Sequence, residues 1–283
     1  MTSVSSVVKK LRGIMSNVVI VGAGGRMGKI MVRLLQGGAE PGLKQAGAVD
    51  LWDCPDRDKD AGVAAGVGEL GIKITTDLAA LLPGCDVVID FSAHHGTAGN
   101  APRVATAGKG LVIGTTGLGT EEKKAVEEAA RKIPVVVSPN MSLGVNLLFA
   151  LVRKAAETLK GKGYDIEIIE RHHRKKKDSP SGTAIGLGEA AAAGYGWDLK
   201  KTAVDGRSGL VGERPAEQIG FHAVRGGDIV GDHTVLFAAD GECIELSHRA
   251  TSREAFARGA LRAAAWLAGR APGLYSMRDV LGV

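Results

Sequence analysis

Asn17-Val-Val-Ile-Val-Gly22-Ala-Gly-Gly-Arg-Met-Gly28 runs a β-branched strand into a glycine-rich turn, and Met27 to Gln36 then has the apolar spacing of a helix. Glycine suits such a turn because the chain must leave the strand sharply and let a pyrophosphate approach its backbone. The helix that follows offers unpaired N–H groups and the positive end of its dipole to the phosphates. The glycines read GxxGxxG, with Met27 where the commoner GxGxxG has its last glycine, so a ligand-free tight turn is the plainer alternative. Asp50 tips the balance. It closes a second short strand, Ala46 to Val49, about twenty residues further on, where an acid hydrogen-bonds an adenosine ribose.

Strand and helix signals go on alternating outward from this turn. Ile72 to Thr75, Asp86 to Asp90, Gly110 to Ile113 and Pro134 to Val137 read as strands, and Glu121 to Lys132 as a helix with Thr120 at its N-cap. The pattern predicts an α/β fold with an N-terminal Rossmann-type doubly wound parallel sheet. The rhythm changes after Asn140. A helix over Val145 to Lys160 leads into Tyr164 to Glu170, whose first five residues alternate, and Thr234 to Ala238 and Glu242 to Ser247 flank a hairpin turn at Ala239-Asp240-Gly241. That predicts a second, α+β domain with a mixed sheet. A helix over Ser252 to Gly269 follows, with Ser252 at its N-cap. The expected division is a leader over 1–14, a dinucleotide-binding domain over 15–141 completed by 251–283, and a substrate-binding and assembly domain over 142–250.

Composition removes several classes. The 283 residues are 45% hydrophobic and 24% charged, enough to bury a core and too ordinary for disorder. Glycine, 41 residues, is roughly double its usual share and has no collagen period. No apolar run approaches the roughly 18 residues that span a bilayer, so no membrane partner is expected. Cys54, Cys85 and Cys243 are few and widely spaced, which speaks against disulfides and a zinc ribbon and for a reducing, cytoplasmic setting. The net charge of +5 is too small to indicate nucleic acid. The leader is basic and rich in Ser, and is expected to be a disordered extension.

The densest chemistry lies in Glu170-Arg-His-His-Arg-Lys-Lys-Lys-Asp-Ser-Pro-Ser-Gly-Thr183. Two histidines offer proton exchange near neutral pH, Lys176 offers a cation, and Ser181-Gly182-Thr183 offers hydroxyl and N–H groups at a helix start that suits a carboxylate. A solvated basic face is the bland alternative. A nucleic-acid patch is another, although the segment has no aromatic residue for bases to stack on. Adjacent histidines make a poor zinc pair, and no metal site is expected.

The string Glu170-x-His-His173-x-x-Lys176-x-Asp178-x-Pro-Ser-Gly-Thr183 resembles the signature of the bacterial dihydrodipicolinate reductase family. Gly22 to Gly28, Asp90-Phe-Ser92, Gly114-Thr-Thr-Gly117, Asn140 to Asn146 and Arg225 to Thr234 resemble that family as well, and the likeness runs from Val18 to about Leu281. The resemblance implies nicotinamide-dependent reduction of a cyclic imine dicarboxylate in the diaminopimelate and lysine pathway. It implies His172 as the acid/base residue, Lys176 as a second proton donor, His173 as a substrate contact, and Ser181, Gly182 and Thr183 as holders of a substrate carboxylate. Gly22, Ala23, Gly24, Gly25, Arg26, Met27 and Asp50 would line the cofactor, joined by Phe91, Gly114, Thr115, Thr116, Ser138, Pro139, Asn140 and Met141. The implied assembly is a homotetramer.

Three positions depart from the family's habit. Leu51 follows the ribose-binding acid where NADPH users often carry Arg, Ala93-His94 replaces an Arg-Pro pair, and Met141 replaces an aromatic residue. The expected cofactor is therefore NADH ahead of NADPH, with NADPH still usable if Arg26, Arg57 or Lys59 reaches its extra phosphate.

Overall fold

A computed structural model of the chain describes residues 15–283, so the leader expected over 1–14 lies outside the described residues. The described chain divides into two compact units. One runs up to Ser142 and adds Glu254–Gly282, and the other is Leu143–Arg253.

The first unit is built on β1 (Ser16–Val21), β2 (Leu43–Val49), β3 (Ile74–Thr75), β4 (Val87–Asp90), β5 (Gly110–Ile113), β6 (Pro134–Val137) and β12 (Gly273–Tyr275). Their order is β12-β6-β5-β4-β1-β2-β3, and every pairing is parallel. A parallel sheet buried on both faces needs apolar residues throughout its strands rather than alternation, and β4 and β5 are buried at every position. One face packs Val19, Val21, Val88, Leu111 and Val135 against α4 (His94–Thr106) and α5 (Thr120–Ala130). Ile20, Ile89 and Val112 are buried on the other face, where α1 (Arg26–Gln36) and α9 (Glu254–Leu267) lie. Each such side chain contributes about 1.5–3 kcal/mol by leaving water. Strand order reverses on the two sides of β1, and ligands of such sheets bind outside the carboxyl ends of the strands at that point.

One expected cap is displaced. The N-cap of α5 is Gly119, with Thr120 already helical; α9 begins at Glu254. At α5 the reason is local. Glu122, in the first turn, turns its carboxylate back onto Gly119 and takes over the capping that a threonine would provide.

The second unit holds α6 (Leu143–Leu159), β7 (Asp165–His172), α7 (Gly182–Tyr195), β8 (Ala203–Asp205), β9 (Ile219–Arg225), β10 (Gly231–Ala239) and β11 (Glu242–Ala250). Its sheet runs β11-β10-β7-β9-β8 and is mixed: β10 is antiparallel to β7 and β11, while β9 is parallel to β7 and β8. Ile166, Ile168, Ile219, Phe221, Val235 and Phe237 face the core helices, where Leu148, Val152, Leu187 and Ala191 meet them. β9 had no expected counterpart, because Gly220 interrupts its pattern. The register puts Glu167 opposite Gly220, and a Cβ there would lie on the Glu167 carboxylate. That carboxylate is taken by Arg207, Arg214 and His222; burial pushes it up, but these partners outweigh burial and hold it at about 2.

Candidate active site

Burial alternates along β7, so Glu170 and His172 continue the inward row begun by Ile166 and Ile168. Ionisable residues on a core face need partners, and these have them. Glu170, 1% exposed, accepts both arms of the Arg225 guanidinium at 2.7 Å and the Ser181 backbone N–H at 3.0 Å. Its Oε2 also lies 2.5 Å from Nδ1 of His172. Burial pushes the Glu170 carboxyl up, but Arg225 and His172 outweigh burial and hold it below the usual range. An ionised carboxylate can only accept, so Nδ1 of His172 carries the proton and Nε2 is the atom left to exchange one.

β10 completes the cluster. Its register sets His233 opposite Glu170, and the His233 ring stands edge-on to that of His172 at 5.1 Å. His233 Nε2 meets the Ser181 hydroxyl at 3.2 Å, and its buried Nδ1 has no hydrogen-bond partner among the described residues. The same hydroxyl accepts from Ala184 N–H, so Ser181 is the N-cap of α7. Gly182 opens that helix with nothing within 4 Å of where a Cβ would sit, and no acidic residue occupies the first turn. Lys176 is held by Asp178, at 2.8 and 2.9 Å, which uses two of its three N–H donors. His173 is half-buried beside them.

Of the residues expected here, His172, Lys176, Ser181 and Gly182 thus fall in one cluster. Glu170, Arg225 and His233 were given no role from sequence. Glu170 could have been found from the two-residue alternation that places it beside His172. Arg225 and His233 lie in the Arg225 to Thr234 stretch that resembles the family, but their places beside Glu170 depend on strand registers across more than fifty residues. The three cysteines lie elsewhere: Cys54 follows β2, Cys85 precedes β4 with burial pushing its thiol up to about 11, and Cys243 is exposed in β11.

Burial holds His172, His248 and His233 below the usual imidazole range, His233 at about 3. The folded chain keeps these rings neutral while an unfolded chain protonates them near pH 6.5, so stability present above that pH is lost as pH falls toward the folded values. His233 alone is expected to cost about 2 kcal/mol by pH 5. Thermal melts should therefore slide down between pH 6.5 and 5, above the carboxylate range. A melting temperature flat to pH 5 contradicts this.

The expected cofactor residues gather in the first unit, at the carboxyl ends of β1, β2, β4, β5 and β6. Gly22 has φ +82°, and its N–H and that of Ala23 bond the Val49 carbonyl. Asp50 accepts from the Gly24 N–H at 2.7 Å and the Leu51 N–H at 2.8 Å, which fixes its carboxylate at the turn. A Cβ at Gly24 would sit 2.4 Å from Cys54 Sγ, and one at Gly114 would enter the Phe91 ring. The start of α1 is bare: its N-cap is Gly25, no side chain caps it, and its first turn has no acid. Gly25, Arg26, Thr116 and Pro139 are exposed, so the rim faces solvent. These features fit a dinucleotide pyrophosphate.

Three positions turn inward instead. Met141 is 1% exposed, with its carbonyl against Gly259 of α9. The Thr115 hydroxyl is buried with Thr97 and bonds the Ser92 carbonyl, tying β5 to β4, and Ser138 bonds the Asn140 carbonyl. Side chains of these residues shape the rim rather than forming its surface.

Two family models cover nearly all of the described chain: dihydrodipicolinate reductase, N-terminus, over residues 16–141, and dihydrodipicolinate reductase, C-terminus, over residues 144–281. The 4-hydroxy-tetrahydrodipicolinate reductase of Anaeromyxobacter dehalogenans is 54% identical over 269 residues, covering 95% of this chain and 98% of that one. The protein of the same name from Syntrophotalea carbinolica is 49% identical, covering 95% and 100%. A solved dipicolinate-bound dihydrodipicolinate reductase from Paenisporosarcina sp. TG-14 shares the fold, with TM-score 0.71 and 22% identity over 94% of this chain and 99% of that one. The chain belongs to the dihydrodipicolinate reductase family, oxidoreductases that work with a pyridine nucleotide.

Proposed function

We propose that this chain reduces 4-hydroxy-tetrahydrodipicolinate to tetrahydrodipicolinate in lysine and diaminopimelate biosynthesis, with the proton handled by His172. One observation carries the proposal: the buried Glu170–Arg225 pair fixes the proton of His172 on Nδ1 and leaves Nε2 for exchange. The first unit is the dinucleotide-binding domain, with Gly22 to Met27 and Asp50 holding pyrophosphate and ribose. The bound nicotinamide supplies the hydride. The second unit holds the dicarboxylate. Ser181 shapes the start of α7, where the N–H groups of Gly182 and Thr183 receive one carboxylate, and His173 and Lys176 face the substrate as further polar contacts. In the net reaction a hydride and a proton are taken up and the 4-hydroxyl leaves as water; Lys176 offsets negative charge as the ring is reduced, and His172 Nε2 delivers the proton. Burial disfavours a charged His172 in the free enzyme, and a dianionic substrate beside it reverses that preference, so the ring is charged where the proton is needed.

Lys176→Met is expected to weaken binding of dipicolinate, a flat dicarboxylate probe, by roughly 10- to 100-fold, the worth of one charge-assisted contact. Calorimetry showing unchanged affinity would remove Lys176 from the site.

We further assign NADH as the preferred nucleotide, by about tenfold in kcat/KM. Leu51 and Trp52 follow Asp50 with no cation, and the cations beyond them are engaged: Lys59 with Asp56, and Arg57 with Asp58 and the Trp52 carbonyl. Arg26 is exposed and pairs with no acid among the described residues, so it is the residue through which NADPH would gain. Kinetics with each nucleotide decide the point, and a clear NADPH preference that collapses in Arg26→Ala would overturn the assignment. A homotetramer built on the second unit's sheet completes the proposal; sedimentation equilibrium at the mass of one chain would remove it.

A further inference from the structure

We propose that His94, His95 and Glu122 form a binding site for a divalent transition-metal ion of the zinc class. The two histidines open α4, and Glu122 stands in the first turn of α5. Nδ1 of His94 lies 3.2 Å from Glu122 Oε1, and Nδ1 of His95 lies 3.9 Å from the same oxygen. The three ligand atoms all fall within 4.8 Å of one another, and the imidazole centroids are 3.7 Å apart. Zinc bonds nitrogen and carboxylate oxygen at about 2.0–2.2 Å, so tetrahedral ligands stand about 3.4 Å apart; His94 and Glu122 already have nearly that spacing, and the exposed His95 ring would move toward them.

Glu122 is ready for this role without an ion. Its Oε2 lies against Gly119, and its carboxylate accepts backbone N–H groups there as the cap of α5, so Oε1 is left facing the rings. The carboxylate is only 14% exposed, while the His95 side chain is 81% exposed, which leaves one side of the cluster to water as a fourth ligand. Two imidazoles and one carboxylate suit zinc, whereas magnesium and calcium take oxygen throughout. An anion is the wrong occupant, because Glu122 faces both rings. Two helix N-termini also converge here, and their positive ends oppose a cation. The site therefore depends on the Glu122 charge more than on its shape.

Calorimetric titration of zinc into the untagged full chain, near neutral pH and without nucleotide, tests the proposal against two variants. His95→Ala removes an exposed ligand, and Glu122→Gln keeps a side chain able to cap α5 while removing the charge. The unsubstituted chain is expected to bind one ion per chain that each variant weakens by at least ~10- to 100-fold, the loss seen even for groups that only orient a ligand. Failure of the unsubstituted chain to bind zinc at micromolar concentration would overturn the proposal. Equal stoichiometry and affinity in all three proteins would do the same, since the ion would then sit elsewhere.

Discussion

His172→Gln is expected to lower kcat by about 10²- to 10⁴-fold, the range that a positioned acid or base contributes, with nucleotide affinity unchanged. Glutamine retains an N–H able to reach toward Glu170 but cannot carry and release a proton at neutral pH. The Glu170–Arg225 pair is left whole, so the variant should fold as the parent does. Steady-state rates beside an NADH titration separate chemistry from binding. A turnover within threefold of the parent would show that His172 is not the proton donor.

The second large effect is expected at Gly28. A Cβ there would lie 2.2 Å from the Gly22 carbonyl oxygen and 2.5 Å from Ala23 Cα. Both are backbone atoms of the turn, so nothing flexible can yield, and overpacking of this kind costs about 1–3 kcal/mol. Gly28→Ala should then weaken NADH about 10- to 100-fold if that strain falls on the nucleotide-binding turn. Gly37→Ala is the control: its φ is −75° and its Cβ would find ordinary contacts at 3.5 Å. Fluorescence titrations giving both variants the parent's affinity would mean that the turn does not hold the dinucleotide.

The parts of this molecule that a reader of the sequence can see are those set by local rules. The turn after β1 is visible because only glycine fits where backbone meets backbone, and β5 and β6 fall on the expected residues because their apolar runs are short and sharply bounded. The inward face of β7 is visible in its alternation. What stays hidden depends on partners distant in the chain. Gly220 breaks the pattern of β9 to make room for Glu167, and Arg225 and His233 reach Glu170 only through strand pairing. Thr120 has the chemistry of a cap, yet Glu122 does that work from inside the helix. Adjacency argues against a metal at His172 and His173; for His94 and His95 a third partner comes from another helix, out of reach of local spacing.

The decisive measurement is loss of NADH absorbance on adding enzymatically generated 4-hydroxy-tetrahydrodipicolinate. Oxidation is expected to require both substrate and chain and nearly to vanish in His172→Gln. Tight NADH binding with no oxidation when that substrate is supplied would contradict the proposed reduction.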